Sequence, residues 1–74
     1  MIRNMNKVAI NREPVELFKI LKFEGLVPSG GEAKTVISEG LVLVNGEVET
    51  RKSKKMYAGD IIEFAQNEYL LELE

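Results

Sequence analysis

Cysteine and histidine are both absent from this chain. Without cysteine no disulfide can staple a small fold, and without either residue the usual ligands of zinc are missing. Catalysis loses its commonest base for the same reason, since Ser29, Ser38 and Ser53 have no evident base near them in sequence. A carboxylate-only magnesium or calcium site would call for an Asp/Asn-rich loop, and none is present. No run of about 18 apolar residues occurs, so no segment reads as a membrane-spanning helix. Met1-Ile-Arg-Asn-Met-Asn-Lys7 lacks the apolar centre of a signal peptide. These absences point to a cytoplasmic protein that is not an enzyme and has no cofactor, no metal and no membrane partner.

What is present suits one small domain spanning residues 1–74. A chain of this size buries only about 60% of the surface its unfolded form exposes, so its core is modest. The hydrophobic share of 45% is ordinary for a globular protein. The net charge is −2 and the pI about 5.2, which speaks against a polyanionic partner until the distribution is considered. Residues 1–59 carry all ten cations against seven acids, whereas residues 60–74 carry five acids and no cation. Binding responds to the local field rather than to the total.

Along the chain, residues 1–4 read as a frayed terminus and Met5–Ile10 as a strand. Pro14 suits the first position of a helix over Val15–Glu24, with Leu17, Phe18, Ile20 and Leu21 at core-facing spacing and Gly25 as its stop. Ser29 and Glu32 have capping-box spacing at the start of a second helix, whose Ala33, Val36 and Ile37 share one face and which Gly40 ends. The short connection predicts a tight helix pair. The period then becomes that of strands. Leu41–Val44 and Glu47–Thr50 flank Asn45-Gly46, the strongest short hairpin signal, because both residues tolerate the positive φ of a type I′ turn. Tyr57-Ala-Gly-Asp60 reads as a turn, and Ile61–Ala65 and Tyr69–Leu73 as strands about a Gln66-Asn67 turn. The expected class is α+β: a two-helix pair packed on a small, mainly antiparallel sheet with a β-hairpin.

The hairpin runs directly into Arg51, Lys52, Lys54 and Lys55, four cations within five residues. Such a cluster is either a solvated loop or a site for a phosphate backbone, where cations act by displacing counterions. Glu47 and Glu49 just upstream can neutralise part of it. Ser29-Gly30-Gly31 with Lys34 is a second candidate, because a helix N-terminus offers unpaired N–H groups and glycines let an anion approach. Glu32 favours a plain cap there, and the Gly-x-x-x-x-Gly-Lys spacing of a nucleotide loop is missing. Lys19, Lys22 and Arg12 read as surface cations. Phe18, Phe23, Phe64 and Tyr69 read as core or core-edge residues. Tyr57 is expected in the core, with stacking on an exposed base as the alternative. The acids Asp60, Glu63, Glu68, Glu72 and Glu74 read as a solvated edge strand that discourages aggregation.

The order of these elements resembles the S-four RNA-binding domain, or αL motif. The residues that carry the likeness are Leu17, Ile20, Leu21, Gly25 and Leu26; Ser29, Ala33, Lys34, Ile37 and Gly40; Val42, Val44, Asn45-Gly46, Val48 and Thr50; and Gly59-Asp60-Ile61-Ile62. They span residues 17–64, about two-thirds of the chain. Ser29-Gly-Gly-Glu-Ala-Lys34 and Asn45-Gly-Glu-Val-Glu-Thr-Arg51 are similar to the small stand-alone bacterial members, the YaaA-like and YbcJ-like proteins. Three polar positions depart from the family, and two of them lose an expected cation: Glu16-Leu17-Phe18 stands where many members have Arg-Leu-Asp, and Gly30 where an Arg is common. The resemblance implies a structured RNA as partner, ribosomal or tRNA-like, within a ribosome or ribonucleoprotein. It places RNA contacts on the hairpin, and with the helix N-terminus the candidate contacts are Ser29, Gly30, Gly31, Lys34, Arg51, Lys52, Lys54 and Lys55. The rival expectation is a protein-interaction adaptor whose working surface is the acidic C-terminal strand.

Overall fold

A computed structural model describes residues 4–74. The frayed terminus expected over residues 1–4 therefore lies outside the described residues, except Asn4, which already belongs to a strand. The elements in chain order are β1 (Asn4–Ile10), β2 (Val15–Glu16), α1 (Leu17–Phe23), α2 (Gly30–Ser38), β3 (Leu43–Val44), β4 (Glu47–Val48), β5 (Lys55–Met56), β6 (Ile61–Phe64) and β7 (Asn67–Leu73). Five strands form one sheet in the order β1-β7-β6-β3-β4, and β2 pairs with β5 in a separate two-stranded ribbon. All pairings are antiparallel except β1 with β7, which run parallel from Asn4↔Asn67 to Ile10↔Leu73. The architecture is two helices on a mixed, mostly antiparallel sheet.

One apolar cluster holds the layers together. The helices contribute Leu17, Ile20, Leu21, Ala33, Val36 and Ile37, and the strands contribute Val8, Ile10, Val44, Ile62 and Leu71. The all-apolar run Leu41–Val44 hides its register in sequence. In the fold Val42 and Val44 are buried, while Leu41 is 52% exposed.

Both helices end in the same way. Gly25 N–H donates to Lys22 O and Leu26 N–H to Leu21 O, while Gly40 N–H donates to Ile37 O and Leu41 N–H to Val36 O, all within 3.1 Å. This paired pattern satisfies the last carbonyls and demands a left-handed residue, which Gly25 (φ 72°) and Gly40 (φ 79°) supply. At its start α2 has the expected cap, with Ser29 Oγ accepting from Glu32 N–H at 3.1 Å.

Several expectations are corrected. The first helix does not begin at Pro14. A cis Glu13–Pro14 bond precedes β2, and the helix covers only Leu17–Phe23. Val15 and Glu16 are drawn instead into pairing with Met56 and Lys55, where Val15 packs against the core. The hairpin ladder is shorter than its apolar pattern, at two residues per arm. The last turn is Ala65-Gln66, both at positive φ (53° and 69°), and Asn67 is already in β7. The acidic strand is not an edge, for β7 lies between β1 and β6 with both backbone sides paired. The edge strands are β1 and β4.

Candidate nucleic-acid interface

The chain leaving β4 crosses the start of α1. The first N–H groups of a helix have no partner inside it, and Glu16 at the N-cap provides no side-chain bond. The basic loop fills the role: Leu17 N–H donates to Lys54 O at 2.9 Å and Phe18 N–H to Lys52 O at 3.1 Å. Lys52 and Lys54 are thus anchored by their carbonyls, with Lys52 exposed and Lys54 half-buried. Buried Met56, just past the cluster, anchors the other end.

Phe18 links this loop to α2. The Lys34 ammonium sits 4.7 Å from the centre of its ring, and that of Lys19 lies 5.9 Å away. A Cβ built on Gly30 would lie 3.9 Å from Lys22 Cδ and 4.0 Å from two ring carbons of Phe18. The ring thus packs beneath the start of α2. The Phe18 ring therefore meets Gly30 and Lys34, while the backbone N–H groups of Phe18 and Leu17 hold the carbonyls of Lys52 and Lys54. Ser29 and Gly31 flank Gly30 at the same end of α2, although Ser29 Oγ is already occupied by the cap. Sequence reasoning assigned Phe18 only to the core edge. Its place in the family's Arg-Leu-Asp position was the signal for something more.

The cations differ in their engagement. Arg51 is clamped by Glu49: its backbone N–H and Nε both donate to Oε2 at 2.9 Å, and Nη2 donates to Oε1 at 3.1 Å. These hydrogen bonds hold the Glu49 carboxyl well below its ordinary 4.5, at about 2. They also push the Arg51 guanidinium upward. Lys19 lies 3.1 Å from Glu16, whose carboxyl is lowered first by that hydrogen bond and further by Lys55 nearby. Among the described residues, Lys34, Lys52 and Lys54 close no ion pair. The local positive field therefore rests on lysines more than on Arg51.

The aromatic assignments divide. Phe18, Phe64 and Tyr69 do pack against the core. Phe23 and Tyr57 do not, being 69% and 47% exposed. Tyr57 lines a shallow recess of about 450 Å3 with Arg51, Ser53, Lys54 and Lys55. A second concavity of about 470 Å3, between β1 and α1, shares none of those residues and mixes Arg12 and Lys19 with Glu24 and Glu74. Among the described residues no His/Cys/Asp/Glu group could hold a metal ion. No helix there is long and apolar enough to cross a membrane.

Residues 8–72 match the S4 domain. The chain is similar to "Probable ribosome maturation protein RlbA" of Bacillus subtilis (strain 168), 41% identical over 58 residues, which are 78% of this chain and 82% of that protein. It is 47% identical over 62 residues to YbcJ of Escherichia coli (strain K12), covering 82% of this chain and 89% of YbcJ. The solution structure of E. coli YbcJ, described as revealing an αL motif involved in RNA binding, matches with a TM-score of 0.70 at 40% identity. That match covers 97% of this chain and 92% of YbcJ. A tyrosine–tRNA ligase of Bordetella pertussis is 36% identical over 59 residues, 80% of this chain but 14% of the ligase. Matched over most of its length, and with the helix pair and hairpin in place, the chain belongs to the S4 domain family.

Proposed function

We propose that this chain is a single non-enzymatic RNA-binding module. It recognises a structured RNA, ribosomal or tRNA-like, mainly by backbone charge and shape rather than by base identity. The observation that carries the proposal is the junction at Phe18, whose N–H holds the Lys52 carbonyl while its ring lies under the Lys34 ammonium. Two basic segments far apart in sequence thereby form one surface, as a phosphate backbone requires. Lys34, Lys52, Lys54 and Lys55 neutralise phosphates as point charges. The Gly30 and Gly31 N–H groups beside Ser29 receive a further phosphate oxygen. Arg51 keeps guanidinium N–H groups beyond those committed to Glu49, so it contributes an oriented, partly neutralised contact. The ribosome-maturation name of the Bacillus relative supports a ribosomal RNA or a ribosome precursor as the partner.

Charge swaps test this against a protein adaptor. Lys52→Glu with Lys54→Glu is expected to abolish binding to a labelled ribosomal-RNA fragment pool at low salt. Glu68→Lys and Glu72→Lys, on the interior strand β7, are expected to leave it intact or strengthen it. Loss of function confined to the β7 variants would overturn the proposal in favour of the acidic face.

A further inference from the structure

Tyr57 is an exposed aromatic ring on a rigid mount. Its N–H donates to Asp60 Oδ2 at 2.8 Å, and Asp60 N–H donates back to Tyr57 O at 3.1 Å. Asp60 is held in turn by Asn45 Nδ2 at 3.1 Å, and Ile61 N–H donates to Asn45 Oδ1 at 2.9 Å. Met56 on one side is fully buried, and Ala58 on the other donates its N–H to Glu13 Oε2 at 2.6 Å. The backbone is fixed in every direction while the ring stays in solvent, half exposed. Around it stand three cations, Arg51, Lys54 and Lys55, together with Ser53.

We propose that Tyr57 and the recess it shares with Arg51, Ser53, Lys54 and Lys55 form a subsite for one unpaired nucleobase. The inference rests on the RNA-binding function above and adds a ligand class to it. Lysines and arginine that grip phosphates read a duplex without regard to sequence. A ring standing among them offers a surface only a base freed from its helix can cover, because paired bases are already stacked. The preferred RNA is therefore a stem interrupted or ended by an unpaired nucleotide. Purines should be favoured for their larger faces, with little further sequence preference. Fixing the mount in advance leaves only the ring's own rotation to be restricted on binding.

The test uses two RNA hairpins of equal length, one with a single bulged 2-aminopurine and one with the same base paired. Wild type, Tyr57→Phe and Tyr57→Ala are compared at low salt by anisotropy and by 2-aminopurine fluorescence, with circular dichroism to verify folding. Wild type and Tyr57→Phe are expected to bind the bulged hairpin about 5- to 100-fold more tightly and to change its fluorescence. Tyr57→Ala should lose that preference while binding the paired hairpin as wild type does. If Tyr57→Ala keeps the preference and the fluorescence change, the subsite is wrong and the backbone-binding proposal stands. If folded wild type binds neither hairpin, both proposals fall.

Discussion

Glu49 accepts three hydrogen bonds from Arg51, and its carboxyl is held at about 2 as a result. Because the folded value lies below the unfolded 4.5, the stabilisation is fully present above about pH 4.5. It is lost as pH falls towards about 2. Urea midpoints measured across that interval should fall more for wild type than for Glu49→Gln, and equal slopes would show that the clamp contributes nothing to stability. Met56 provides a second test. Its side chain is fully buried, so Met56→Ala should cost about 2–5 kcal/mol in chemical denaturation. A loss below about 1 kcal/mol would mean the loop's anchor lies elsewhere. The four cations and the nearby Glu49 were legible in sequence because they are neighbours. Met56 was not, since a lone apolar residue between Lys55 and Tyr57 carries no period. Its burial is decided by pairing with Val15, far away in the chain. Tyr57 and Phe23 were misplaced for the converse reason, because aromatic identity suggests burial wherever the chain folds.

At the scale of elements, the Asn45-Gly46 turn does more than reverse the chain. Both residues have positive φ (52° and 88°), as the sequence indicated, but the Asn45 side chain also joins the hairpin to Asp60 and the start of β6. Asn45→Ala should therefore destabilise by about 1–3 kcal/mol, more than an exposed turn substitution would. Amide exchange at Ile61 and Tyr57 should quicken in the same variant, and unchanged exchange at both would contradict the bracing. The helix pair, the hairpin and the closing turn were readable because each carries its own local signal: Ser29 as a cap, Gly25 and Gly40 as stops, Asn-Gly as a turn. The start of α1 was misread because Pro14 fits a helix start locally while the β2–β5 ribbon overrides it. The last turn was read one residue late, at Gln66-Asn67, because Asn67 favours positive φ in sequence whereas Ala65 does not. The parallel pairing of β1 with β7 joins the two ends of the described chain, and no local pattern announces such a contact.

Across the whole molecule, charge is segregated by structure as well as by sequence. Leu71 is buried and Tyr69 packs against the core, so Glu68 and Glu72 alternate to the opposite side of the interior strand β7. Glu72 is partly offset by Lys7 at 3.8 Å. The lysines of the candidate site ride on the loop across α1 and on α2. A net charge of −2 is therefore compatible with a positive working surface, and the proposed RNA would be turned towards it by the acids. If this surface binds RNA by displacing counterions, as proposed, the affinity must depend on salt. For a folded wild-type protein on a structured RNA, log K should fall linearly with log salt, with a slope of about −0.7 to −0.9 per phosphate contact and four to six contacts in all. Lys52→Ala with Lys55→Ala should make that slope shallower by about 1.4 to 1.8. An affinity unchanged by salt, or a slope untouched by the two substitutions, would show that counterion displacement by this surface does not drive binding.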